Sequence, residues 1–98
     1  MITYTFSTTK NPTLSQIINA LSSYVMSYST PLSSNITING SIGLSMKDNV
    51  VVSIQIMFFE NASEYTWKDS VSGYTISAQP LASIPSQSEI QSLIGDYL

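Results

Sequence analysis

The chain opens on a two-residue period. Ile2, Tyr4 and Phe6 alternate with Thr3, Thr5 and Ser7, so one face is apolar and the other carries hydroxyls, as in a half-buried strand. Lys10-Asn11-Pro12 breaks the pattern, and beyond it the period lengthens. Leu14, Ile17, Ile18, Leu21, Tyr24, Val25 and Tyr28 share one helical face, and Ser15, Asn19, Ser22, Ser23 and Ser27 share the other. Thr13-Leu14-Ser15-Gln16 spells a capping box, in which a hydroxyl and an amide satisfy the first free backbone N–H groups reciprocally. A helix is therefore predicted from Leu14 to Tyr28, ending before Pro31.

Alternation returns in the middle of the chain. Ile36, Ile38, Ile42, Leu44 and Met46 are apolar at even positions, and so are Val50, Val52, Ile54, Ile56 and Phe58. Directly opposed residues share a face, so the paired numbers of this hairpin must add to an even total. Met46 opposite Val50 meets that condition and leaves Lys47-Asp48-Asn49 as the loop. Two further strands, Glu64–Asp69 and Tyr74–Gln79, follow with connections at Glu60–Ser63 and Ser70–Gly73. Ser86-Gln87-Ser88-Glu89 repeats the capping pattern ahead of the stripe Ile90, Leu93, Ile94, Tyr97 and Leu98, which predicts a C-terminal helix. The expected core is Ile18, Leu21, Ile42, Val52, Ile54, Ile56 and Leu93.

These elements fit one domain over residues 1–98. The expected fold is α+β, a two-layer sandwich of order β-α-β-β-β-β-α. An antiparallel sheet of about five strands carries both helices on one face. The place of the first strand in the sheet is left open.

Composition narrows the chemistry. Only 9% of the 98 residues are charged, against about 25% in an average soluble protein. There are 19 Ser and 9 Thr, six carboxylates, three Lys, and no Arg, His or Cys. Without Cys there is no disulfide, thiolate nucleophile or zinc–sulfur site. Without His the commonest general base and metal ligand are missing. Without Arg, and with net charge −3, there is no basic surface for nucleic acid. No stretch is long and apolar enough for a membrane span, and Met1-Ile2-Thr3-Tyr4-Thr5-Phe6 has neither the basic region nor the long apolar region of a signal peptide. No cofactor and no metal are expected. So few titratable groups also give little dependence of stability on pH.

The short motifs read as structure. Ser7-Thr8-Thr9-Lys10 spells the S-x-x-K of serine acyl transfer, but its partner motifs are absent. Glu60, Glu64 and Asp69 lack ligand spacing and suit turns. Asn35, Asn39 and Asn61 begin Asn-x-Ser/Thr sequons, a frequency that a chain this rich in hydroxyls produces by chance. Asp96-Tyr97-Leu98 could end a peptide ligand, but Tyr97 and Leu98 complete the helical stripe.

The outward sheet face carries Thr3, Thr5, Ser41, Ser53 and Gln55, with Lys68 as its charge. Val51, Met57 and Phe59 are apolar at odd positions of the central strand, on the side the helices leave open. These three are the candidate partner-binding residues, and a homodimer packed through this face is expected. The composition resembles that of small virus-encoded proteins from acid-hot-spring archaea, although no motif carries the likeness and no family follows from it. The expected function is a non-enzymatic structural or protein-interaction module, such as a virion component or a binder of a host protein. The alternative is a small ligand-binding protein or enzyme with a pocket between helices and sheet, lined by Tyr24, Tyr28, Trp67 and Tyr74.

Overall fold

The structure, a computed structural model, describes residues 2–24, 26–27, 36–60, 65–68 and 75–98; of residues 26–27, 36–37, 65–68 and 75–76 it describes the backbone alone. The protein is α+β, with a small antiparallel sheet and two helices. Strands β1 (Ile2–Ser7), β5 (Val50–Phe58) and β4 (Gly40–Lys47) lie side by side, and the two-residue β2 (Met26–Ser27) adds in parallel to β4. Strands β3 (Ile36–Ile38), β7 (Thr75–Ala78) and β6 (Tyr65–Lys68) form a second sheet in that order. Helices α1 (Leu14–Ala20) and α2 (Gln87–Ile94) complete the fold, and a single 3-10 turn, Gly95–Tyr97, follows α2.

This corrects the single five-strand sheet. The long apolar run Ile36–Met46 is not one strand. It bends at Asn39 and passes from one sheet to the other, with β3 parallel to β7 and β4 antiparallel to β5. The Asn39 carbonyl accepts from the Phe59 amide at 3.0 Å, and the Ile38 carbonyl from the Gln79 amide at 2.9 Å, so each side of the bend is tied to a different sheet. The β6–β7 hairpin keeps the odd-total register that its faces require, with Tyr65 opposite Ala78 and Lys68 opposite Thr75. It does not continue the meander from β5. The first strand settles at the sheet edge beside β5.

One face of the larger sheet holds the core. Phe6 of β1, Ile42 of β4 and Ile54, Ile56 and Phe58 of β5 pack with Ile17 and Leu21 from α1 and its end, and with Ile90 and Ile94 of α2. Both helices therefore cover the same face. Tyr4 and Tyr24 meet Phe58 edge-on, with ring centroids 6.3 and 5.5 Å away. The Tyr4 hydroxyl donates to the Pro85 carbonyl at 2.6 Å, fixing the segment that leads into α2.

The helix starts follow the sequence. Thr13 and Gln16 form the reciprocal capping box, and Ser86 accepts from the Glu89 amide at 3.2 Å. The end of α1 does not follow. Leu21 caps it about two turns before the expected stop at Tyr28, and the chain returns to extended structure at Met26. Asn19, Ser22 and Ser23 favour local side-chain hydrogen bonds over helix continuation, and fully buried Leu21 anchors the exit.

The β4–β5 hairpin corrects the expected loop and core together. Asp48 and Asn49 both take positive φ, 54° and 65°, as a two-residue type I′ turn requires, so Lys47 pairs with Val50 and Met46 with Val51. Such a turn imposes an odd total, whereas the core faces impose an even one, as in Ser45 opposite Ser53. A β-bulge reconciles the two and leaves Val52 unopposed. Val51 then shares the face of Met46, on the helix side, and is 4% exposed, while Val52 is 40% exposed. Leu93, also expected in the core, is exposed, and Ile18 is half-buried. Leu21, Ile42, Ile54 and Ile56 are buried as expected.

Candidate functional site

The side chains of β1, β5 and β4 that point away from the helices form rows across three strands. Thr3, Met57 and Ser41 make the first, Thr5, Gln55 and Gly43 the second, and Ser7, Ser53 and Ser45 the third. Sheet geometry spaces neighbours in a row by about 4.8 Å, and rows by about 6.7 Å. Thr3, Thr5, Ser7, Ser45 and Gln55 are exposed, and Met57 is half-buried among them. No residue of the three rows is charged. Gly43 leaves a shallow place in the middle row. A Cβ there would meet Gln55 at 3.9 Å, an ordinary contact, so packing does not demand the glycine.

Of the three residues assigned to a partner, the structure keeps two near this face. Met57 lies within it, and half-buried Phe59 follows the strand end, with its amide bound to Asn39. Val51 is corrected. The bulge turns it to the helix side, and the Asn11 side chain accepts from its amide at 2.9 Å, drawing the segment after β1 over that end of the hairpin. Lys68 is corrected too, because β6 belongs to the other sheet. Sequence periodicity missed an exposed apolar group at the hairpin tip, Met46, Val50 and Val52. The signal for it was Asp48-Asn49, a pair suited to a two-residue turn.

Of the four side chains named for the alternative pocket, Tyr24 alone lies among the described ones. Tyr24 is part of the core wall against Phe58. Tyr28 and Tyr74 lie outside the described residues, as does the side chain of Trp67. Among the described residues no buried side-chain nitrogen or oxygen lacks a hydrogen bond. Buried Thr8 donates to the Tyr97 carbonyl and accepts from the Lys10 amide. Tyr97 and Leu98 pack against the core, so the C-terminal residues act in the fold.

Glu60 is exposed, and Glu64 and Asp69 lie outside the described residues. Among the described residues no three acidic, His or Cys side chains come together to hold a metal ion, and no helix is long and apolar enough to cross a membrane. The sequence matches no protein-family model, and neither a curated protein nor a solved structure matches it.

Proposed function

We propose that the protein is a non-enzymatic interaction module, a structural component or a binder of another protein, that works through the open face of the β1-β5-β4 sheet. One observation carries the reading. The face opposite both helices presents uncharged rows of hydroxyls around Met57, with Phe59 at its margin. Short hydroxyl side chains lose little conformational entropy when immobilised, and they hydrogen-bond across a flat contact that Met57 and Phe59 anchor. The composition is in keeping with a virus-encoded protein, either in the particle or directed at a host protein.

The test is a differential capture from the producing organism's extract. Wild-type protein, Met57→Lys with Phe59→Lys, and the tip variant Val52→Lys serve as baits. Species retained by wild type and by the tip variant, but lost from the double variant, are the expected result. Retention indifferent to the double variant, or turnover in a broad substrate screen that one Ser or Glu substitution abolishes, overturns the reading.

A further inference from the structure

The rim of the sheet, at β1, is distinct from its open face. The Thr8 amide donates to the Val52 carbonyl at 3.1 Å, in line with the ladder that sets Phe6 opposite Ile54 and Tyr4 opposite Ile56. In an antiparallel pair, backbone groups two residues apart point the same way. The even residues of β1 therefore bond to β5, and the N–H and C=O groups of Thr3, Thr5 and Ser7 point outward from the sheet. Among the described strands none pairs with that edge.

Edge strands normally carry a device against pairing: shortness, a charge, a proline or a bulge. The other three sheet edges fit this. β2 has two residues, β3 has three, and β6 ends on Lys68. β1 has six residues in unbroken register, with no charge, proline or bulge, and the nearest charged residue in sequence is Lys10.

We propose that β1 pairs antiparallel with β1 of a second copy, joining two sheets edge to edge about a two-fold axis at Thr5. The strand is self-complementary in this register. Thr5 faces its counterpart, Thr3 faces the second copy's Ser7, and about six backbone hydrogen bonds form from groups that otherwise face water. Tyr4 comes opposite the second copy's Phe6 on the helix side, so apolar meets apolar, and hydroxyl meets hydroxyl on the other side. A two-fold axis perpendicular to the sheet keeps both helix layers on one side. The two open faces then merge into one surface. The proposal concerns the rim and does not depend on the open-face reading.

Sedimentation at protein concentrations on the order of 100 μM decides it. The expected species is about twice the 10.7 kDa chain mass. Thr5→Pro removes an outward N–H and leaves the β1–β5 ladder intact. Thr5→Lys sets like charges opposite each other at the axis and stands in if the proline variant does not fold. Each is expected to raise the dimer dissociation constant at least about tenfold. Met57→Lys with Phe59→Lys is expected to leave it unchanged. A monomer at that concentration overturns the proposal while leaving the open-face reading intact. A dimer indifferent to the Thr5 variants also overturns it, and one lost only with the Met57 and Phe59 substitutions places the contact on the face instead.

Discussion

The two faces of β5 share a backbone and differ in almost everything else. Ile54, Ile56 and Phe58 have no exposed surface and sit under two helices, whereas Ser53, Gln55 and Met57, one residue along in each case, face the uncovered side. The first set carries stability, because each side chain removes a large apolar area from water. The second set is free of that duty, which makes it available for association. A chain this low in charge has few polar ways to keep such a face solvated, and hydroxyls take that role here.

The largest effect that would break the comparison is a core truncation. Ile54→Ala should lower stability by about 2–5 kcal/mol in urea unfolding, through lost transfer energy and the cavity left behind. Gln55→Ala, one position away, should stay within about 0.5 kcal/mol. Comparable losses at the two positions would mean that the open face is covered.

The hairpin end sharpens the contrast on adjacent residues. Val51→Thr should cost about 1–3 kcal/mol, because it places a hydroxyl on a residue that is only 4% exposed. Val52→Thr should be nearly neutral. The opposite order would remove the bulge and restore even-numbered burial along the whole strand.

Much of this division was legible in the alternation, and the reasons it failed at particular residues are physical. Ile54, Ile56 and Phe58 bury as the two-residue period demands. Val51 and Val52 exchange roles because the turn chemistry of Asp48-Asn49 competes with the period and wins locally. The helix starts at Thr13 and Ser86 were legible because capping is a local hydrogen-bond pattern. The end of α1 was not, since an apolar stripe does not say which of its residues stay helical. The bend at Asn39 was hidden as well: alternation on both sides of it is compatible with one strand or with two in different sheets. For the open face, period alone placed Met57, while the free β1 edge required knowing which strand lay beside β5.

Smaller effects refine the picture at the margins of the core. Thr13→Ala should cost about 1 kcal/mol by leaving helix-end amides without a side-chain acceptor, read by thermal or urea unfolding. Gly43→Ala on the open face should raise stability by about 0.5–1 kcal/mol, because the added Cβ meets Gln55 at ordinary contact distance and backbone entropy in the unfolded chain falls. A loss at Gly43 would show that another part of the protein occupies that place.

Residue-resolved amide hydrogen exchange over a range of protein concentrations tests the central claim, a sheet closed on one face and open at its β1 rim, most directly. In dilute solution Tyr4 and Phe6 should exchange slowly and Thr3, Thr5 and Ser7 quickly, while Ile54, Ile56 and Phe58 wait for global unfolding. At high concentration the three fast amides of β1 should become protected together. Slow exchange of Thr5 in the dilute monomer, or fast exchange of Thr5 in an associated protein, would contradict the account.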